Sequence, residues 1–331
     1  MSVPDGKTLL LLKPRGFCAG VVRAIDIVRI ALEAFGPPIY VRKEIVHNRF
    51  VVEELSAKGA IFVDEVDEVP DQQRVIYSAH GVAPSVHEAS QRRGLRVIDA
   101  TCPLVTKVHV EAVRFAKEGY SLVLIGHRDH DEVIGTLGEA PEVTQVVGSV
   151  AEVEQLQVPD PSRIAYLTQT TLSLDETAGI IEALRKRFPL IEGPAAADIC
   201  YATQNRQTAV KEVVAEAELL LVVGSDNSSN SNRLVEVARK LGAKAHLVEN
   251  YLAIEPAWLA GVNTVALTAG ASAPECLVEE AVRYLAGQGF STVREVEVMP
   301  EHVRFGLPPE IVAAISGIPV AAYAETGSEG V

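Results

Sequence analysis

Short apolar runs alternate with longer helical patterns along the whole chain. The apolar runs predict buried strands at residues 9–12, 74–78, 121–125, 164–168, 219–223 and 264–268. Apolar residues at helical spacing predict helices at residues 21–35, 106–118, 174–188, 208–217, 232–241 and 277–287. Strands that alternate with helices are typical of α/β proteins with mainly parallel sheets, and we therefore predict that class of fold.

Three of the four cysteines stand at equivalent places in this pattern, each just before a helix. A strand then ends in a polar loop about 28 residues later, and a second strand ends in another polar loop about 60 to 70 residues after the cysteine. The cysteines are Cys18, Cys102 and Cys200, the first loops hold His47, His130 and Ser228, and the second loops hold His80, Thr170 and Ser272. This repeat predicts three similar α/β units at residues 14–100, 101–197 and 198–290, with a strand at 7–13 joined to the third unit and a C-terminal tail at 291–331.

The repeated cysteines are candidate metal ligands. Ligands bind outside the carboxyl ends of parallel strands, so three units that meet around a pseudo-threefold axis would bring these thiols together. Three thiolates can hold a cubane iron-sulfur cluster by three of its irons and leave the fourth iron open to substrate. A helix that begins after each cysteine would point its partly positive end at the anionic cluster.

Two other interpretations of these cysteines stay open. Three cysteines and one histidine can form a structural zinc site, although zinc ligands usually come in closely spaced pairs and the chain has no CxxC pair. Lone cysteines also serve as small buried hydrophobic residues. Cys276 lies outside the repeat, and we interpret it as a structural thiol.

Composition restricts the classes of partner and the compartment. The formal net charge is −14 at pH 7 and no cluster of lysine and arginine stands out, so we expect no nucleic acid partner. No apolar run approaches the roughly 20 residues of a membrane span, and the first residues lack the layout of a signal peptide. We therefore predict a cytoplasmic protein with reduced cysteines and no membrane partner.

The polar loops form a candidate anion-binding site that lacks the usual phosphate-binding motifs. Walker A and GxGxxG motifs are missing, but the loops carry imidazoles, hydroxyls, an amide and helix starts, and such groups bind diphosphate. An acidic chain depends on local donors of this type to hold an anion. The candidates are His47, His80, Ser228, Ser229, Asn230 and Ser272. Each of them alone also fits an ordinary hydrogen-bonding group at a strand end.

The loop after the strand at 121–125 supplies a candidate acid. His130, Asp131 and Glu132 follow one another there, and Thr170 belongs to the same predicted unit. We select Glu132 as the proton donor. The alternative is a solvated surface carboxylate, since isolated carboxylates are mostly exposed.

With these residues assembled, the chain resembles the hydroxymethylbutenyl diphosphate reductase family over nearly its whole length. The segments that carry the resemblance are 14–20 (PRGFCAG), 46–48 (VHN), 78–81 (SAHG), 99–109 (DATCPLVTKVH), 168–171 (TQTT), 198–203 (DICYAT), 224–232 (GSDNSSNSN) and 268–274 (TAGASAP). One departure stands out, because the family often reads His-Pro-Glu where this chain has His130-Asp131-Glu132.

The resemblance implies a trefoil of three α/β units around a central 4Fe-4S cluster on Cys18, Cys102 and Cys200. The family's diphosphate-binding residues match His47, His80, His130, Ser228, Ser229, Asn230 and Ser272. Its proton donor matches Glu132, and the hydroxyl near the substrate's alcohol matches Thr170. The implied reaction is reductive dehydroxylation of (E)-4-hydroxy-3-methylbut-2-enyl diphosphate to isopentenyl and dimethylallyl diphosphate, the last step of the methylerythritol phosphate route to isoprenoids, with flavodoxin or ferredoxin as electron donor.

Two rival functions share the same cysteine pattern. A cluster with an open iron also suits a hydro-lyase of the aconitase type, which needs no external electrons. An iron-sulfur sensor or redox carrier is a different class, and it would have no need of a diphosphate pocket.

Overall fold

The structure, a computed structural model, describes residues 6–316. Its strands are β1 (Thr8–Lys13), β2 (Ile39–Arg42), β3 (Ala60–Val63), β4 (Arg74–Tyr77), β5 (Arg96–Asp99), β6 (Ser121–Ile125), β7 (Thr144–Val147), β8 (Ile164–Thr168), β9 (Leu219–Val223), β10 (Lys244–Val248), β11 (Thr264–Ala269) and β12 (Thr292–Glu297). Its α-helices are α1 (Ala19–Phe35), α2 (Arg49–Ala57), α3 (Pro84–Arg92), α4 (Pro103–Lys117), α5 (Asp131–Glu139), α6 (Val150–Val153), α7 (Leu174–Arg187), α8 (Tyr201–Val213), α9 (Ser229–Lys240), α10 (Glu275–Gly287) and α11 (Pro309–Ile315).

The strands form three sheets in the described part of the chain. Their orders are β10-β9-β11-β1-β12, β3-β2-β4-β5 and β7-β6-β8. Neighbouring strands in all three sheets are parallel. The predicted α/β class with parallel sheets is confirmed, and within each sheet the loops after the strands leave from one edge.

Both faces of β9, an inner strand of the five-stranded sheet, are buried. In β9, Leu219, Leu221 and Val223 pack into one apolar cluster with residues of α10. Leu220 and Val222 point to the opposite face, into a cluster with residues of α8 and α9. Burial on both faces explains why the sequence of β9 is a continuous apolar run instead of an alternating one.

The described chain divides into two compact units. One contains residues 6–18, 170–183 and 197–303 and carries the five-stranded sheet. The other contains residues 19–169, 184–196 and 304–316 and carries the four-stranded and three-stranded sheets. The boundaries of the three repeat units stay predictions.

Two of the differences from the sequence-based expectation have a clear physical reason. The helix predicted at 208–217 begins at Tyr201, because Cys200 caps its first turn and Arg206 lies on its buried face, where a charged residue interrupts the apolar pattern. Strand β12 was not predicted, since most of its residues are exposed, and it forms by pairing with β1. Part of the predicted C-terminal tail is thus regular structure, while residues 317–331 lie outside the described residues. None of the helices between residues 6 and 316 combines the length and apolar character that crossing a membrane requires.

Candidate active site

The first set of polar loop positions is equivalent in the three segments. Strand β2 ends at Arg42 before His47, β6 ends at Ile125 before His130, and β9 ends at Val223 before Ser228. The offset from strand end to polar residue is the same in all three. The second set lies just beyond β4, β8 and β11, at His80, Thr170 and Ser272. Both sets therefore sit where α/β folds bind ligands, outside the carboxyl ends of parallel strands.

The three repeated cysteines all stand at helix starts. Cys102 and Cys200 are the N-cap residues of α4 and α8, and Cys18 directly precedes α1. All three are partly buried thiols outside any disulfide. The partly positive end of a helix favours the thiolate form of a cysteine. Three such thiols at helix starts fit the ligands of an anionic iron-sulfur cluster, whereas Cys276 is exposed on α10.

A chain of hydrogen bonds joins the loops of Cys18 and Cys200, which belong to the same compact unit. The Cys200 sulfur accepts the Thr203 N–H at 3.4 Å and lies 3.2 Å from the Thr203 hydroxyl. The Asn230 amide donates to that hydroxyl at 3.2 Å and accepts the Ala271 N–H at 2.8 Å. The Ala271 carbonyl accepts the Cys18 N–H at 3.1 Å. Asn230 is buried, so the network holds the two cysteine loops in one arrangement.

Sequence reasoning gave Thr203 no role. The sequence feature that could have identified Thr203 is its position three residues after the N-cap cysteine, because the backbone N–H at that position commonly bonds to the capping side chain.

Hydroxyl groups cluster at the start of α9 in the same unit. Ser228 caps this helix and accepts the Ser231 N–H at 3.3 Å, and the Ser272 hydroxyl lies 3.4 Å from that of Ser228. The Ser229 hydroxyl donates to the Thr171 carbonyl at 3.4 Å. A helix N-terminus surrounded by hydroxyls has the donors and the partial positive charge that hold an anion.

The three predicted histidines meet in the other compact unit. The rings of His47 and His80 are stacked with centroids 4.0 Å apart. His130 stands edge-on to both rings, at 5.3 Å from His47 and 5.9 Å from His80. The predicted diphosphate residues thus form two groups, one of imidazoles and one of hydroxyls with Asn230, each within its own unit.

The imidazoles of His80 and His130 are neutral at pH 7. Burial lowers the pKa of His130 to about 3, with smaller contributions from the charges of His47 and His127. Burial also holds the pKa of His80 well below its usual value, helped by the two neighbouring imidazoles. The Nδ1 atom of His130 accepts the Glu132 N–H at 3.2 Å, which places the ring proton on Nε2. His130 can therefore donate an N–H to an anion without first becoming charged.

Stability should fall below pH 6.5 because of His130. The unfolded chain takes up a proton near pH 6.5, but the folded protein takes it up only near pH 3, so protons favour unfolding between these values. Between pH 7 and pH 5 this one group should cost about 2 kcal/mol of unfolding free energy. We expect His130→Asn to remove this difference of about 2 kcal/mol in unfolding free energy between pH 7 and pH 5, as measured by urea unfolding at the two pH values. Asparagine is chosen because it keeps a good capping side chain at the start of α5. Equal pH dependence in both proteins would contradict this assignment.

The predicted acid lies in the first turn of α5. Glu132 is 3% exposed, so the alternative of a solvated surface carboxylate is wrong. Asp131, the residue before it, is only partly buried. Thr170 is buried in the other unit, where its carbonyl accepts the Cys200 N–H at 3.0 Å. The hydroxyl-bearing residue predicted to meet the substrate's alcohol is therefore hydrogen-bonded directly to a cysteine loop.

Two glycines that lie close to the ring of His109 help to fix the His80 loop. Gly81 has φ +80°, and a β-carbon there would lie 3.1 Å from the ring of His109. A β-carbon on Gly135 of α5 would lie 3.3 Å from the same ring. The His109 ring is held from its other side by Glu139, at 2.8 Å from Nδ1. The glycines let one buried imidazole support both the His80 loop and the helix that carries Glu132.

Arg206 is a fully buried residue that sequence reasoning passed over. Its guanidinium donates to the carbonyls of Gly16 at 2.7 Å and Ala202 at 2.9 Å, and it pairs with Glu301 at 3.0 Å. It therefore connects the helix of Cys200 with the loop that leads to Cys18. The available signal was its spacing of four residues from Ala202 and Val210, which places a charged residue on the buried face of α8.

Arg23 has a similar role in the other unit. From α1 it donates to the Thr101 carbonyl at 3.0 Å, next to Cys102, and to the Gly306 carbonyl at 2.6 Å. The C-terminal segment thus supplies a partner to each arginine, and each arginine supports a backbone carbonyl close to a cysteine.

Comparison with known proteins agrees with the resemblance seen in the sequence. Residues 9–286 match the family described as LytB protein. A relative from Acidothermus cellulolyticus is 58% identical over 306 residues, covering 92% of this chain and 90% of its own, and is named 4-hydroxy-3-methylbut-2-enyl diphosphate reductase. A relative of the same name from Azoarcus sp. is 56% identical over 310 residues, covering 94% of this chain and 99% of its own.

A solved structure agrees over the same range. It is the E-1-hydroxy-2-methyl-but-2-enyl-4-diphosphate reductase from Plasmodium falciparum, with a TM-score of 0.92, 42% identity, and coverage of 95% of this chain and 99% of its own. This likeness confirms the predicted fold class, and the family match confirms the resemblance. The chain therefore belongs to the LytB protein family.

Proposed function

We propose that this chain catalyses reductive dehydroxylation of (E)-4-hydroxy-3-methylbut-2-enyl diphosphate to isopentenyl and dimethylallyl diphosphate, the last step of the methylerythritol phosphate route. The observation that carries the proposal is the match over nearly the whole chain to relatives that bear this enzyme's name. The positions of the cysteines, histidines and serines at strand ends and helix starts support it.

The proposed cofactor is a 4Fe-4S cluster held by Cys18, Cys102 and Cys200, with one iron that has no protein ligand. Three thiols outside disulfides, each at a helix start, support this set of ligands. When bound, the cluster supplies electrons and a Lewis-acidic iron. The physiological electron donor is proposed to be a flavodoxin or ferredoxin, and a cytoplasmic location stays a prediction.

The proposed diphosphate ligands are the two polar groups described above. His47, His80 and His130 contribute imidazole N–H groups, and Ser228, Ser229, Asn230 and Ser272 contribute hydroxyls and an amide. Neutral donors suit a chain whose net charge is −14, since they hold the anion locally without a general positive field. They also orient the substrate, because the N–H groups of the imidazole rings and of the amide point in directions that the side-chain geometry fixes.

Glu132 is the proposed source of the proton that converts the substrate's hydroxyl into water. In this proposal the Thr170 hydroxyl faces the substrate's alcohol and helps to deliver the proton to it. The overall reaction consumes two electrons and two protons and releases one water. The second proton joins carbon, at either end of the allylic unit, which accounts for two products.

An anaerobic assay of the cluster-loaded protein tests the proposal. Reduced viologen should be oxidised only when (E)-4-hydroxy-3-methylbut-2-enyl diphosphate is added, with the two isoprenoid diphosphates as products. If a protein with an intact cluster oxidised no viologen, the proposal would fail and a hydro-lyase or a redox sensor would be favoured.

A further inference from the structure

We propose that His47, His80 and Asp131 form a binding site for a divalent transition-metal cation such as Zn²⁺. Each of the three offers one ligand atom, and these atoms all lie within 4.8 Å of one another. All three residues are partly buried, within one compact unit.

The hydrogen bonds around the two imidazoles are those of metal-binding histidines. The Nδ1 atom of His47 lies 3.1 Å from a carboxylate oxygen of Glu44. The Nδ1 atom of His80 lies 3.2 Å from the hydroxyl oxygen of Ser78. A histidine that binds a metal through one ring nitrogen almost always donates the other N–H to a carboxylate or another acceptor. This second observation assigns Nε2 as the ligand atom in both rings.

The ligand set favours a cation of the zinc type. Two imidazoles and one carboxylate suit Zn²⁺ and similar cations, whereas Mg²⁺ and Ca²⁺ prefer sites built of oxygen. The carboxylate of Asp131 would bind directly, and that of Glu44 would act through His47. Two negative charges at the site balance the charge of a divalent cation.

The site rests on the proposed function in one respect, since two of its ligands are also proposed diphosphate donors. A ring nitrogen that binds a metal carries no proton, so it cannot donate to a phosphate oxygen at the same time. The cation and direct hydrogen bonds from these two imidazoles to diphosphate therefore exclude each other. Cation binding is thus a property of the substrate-free enzyme.

Calorimetric titration with Zn²⁺ tests the site in the cluster-loaded protein, without substrate and under anaerobic conditions. A bound cluster occupies its cysteine ligands, so they do not compete for zinc. We expect Asp131→Asn to weaken zinc binding by at least about tenfold, because it removes one ligand. Asp129→Asn removes an equal charge from an exposed position in the same loop, and we expect it to leave the affinity unchanged.

Anomalous diffraction at the zinc edge from soaked crystals locates the cation. A zinc peak among the side chains of His47, His80 and Asp131 is the expected result. A peak elsewhere, or equal zinc affinity in the two aspartate variants, would overturn the inference. Neither measurement involves turnover. A protein that reduces its substrate but lacks this zinc site would refute only the inference. A protein that binds zinc at this site but does not reduce the substrate would refute only the proposed function.

Discussion

We expect Cys200→Ser to lose most of the iron that the purified protein holds, while Cys276→Ser keeps it. A serine hydroxyl is a poor replacement for a thiolate ligand of iron. Serine is also a good N-cap residue, so the variant keeps an acceptor for the Thr203 N–H that now bonds to the cysteine sulfur. Loss of iron should therefore occur without loss of the helix that follows. Cys276 is exposed on α10 and serves as the matched control.

Iron and sulfide content per chain, measured after anaerobic reconstitution, provides the test. Circular dichroism of both variants should match that of the parent protein and so report an intact fold. If the two variants held equal amounts of iron, the proposed set of ligands would be wrong.

The second large effect is expected from Glu132→Gln, which should lower kcat by about 10³-fold, within the range usual for loss of a general acid. The amide has nearly the same shape and can still accept hydrogen bonds, but it cannot release a proton. Because Glu132 is 3% exposed, bulk water has little access to replace that proton. Iron content and KM should change little, since the carboxyl is neither a proposed cluster ligand nor a proposed diphosphate ligand.

The viologen assay under saturating substrate measures this effect. Asp129→Asn is the matched control, because it removes an exposed carboxylate from the loop that precedes the same helix, and its turnover should equal that of the parent protein. Near-full turnover by Glu132→Gln would remove Glu132 from the role of proton donor.

The elements that carry the candidate site were largely predictable, for local reasons. Five consecutive apolar residues in β9 indicate a strand that is buried on both faces. The repeat aligned on Cys18, Cys102 and Cys200 places each of them at a helix start, as observed. Prediction was weaker where a local rule is broken. Arg206 disrupts the apolar pattern of α8, and the exposed strand β12 has no apolar signal of its own.

The sequence by itself determined the α/β class, the helix starts at the cysteines and the polar character of the loops after the strands. These features follow from the spacing of apolar and polar residues over short stretches of chain. Only the tertiary structure decided that Glu132 is buried, that the rings of His47 and His80 stack, and that Arg206 reaches Glu301. Each of these features depends on contacts between residues far apart in the chain. The burial of Glu132 and the pKa of His130 therefore cannot be predicted from their neighbours along the sequence.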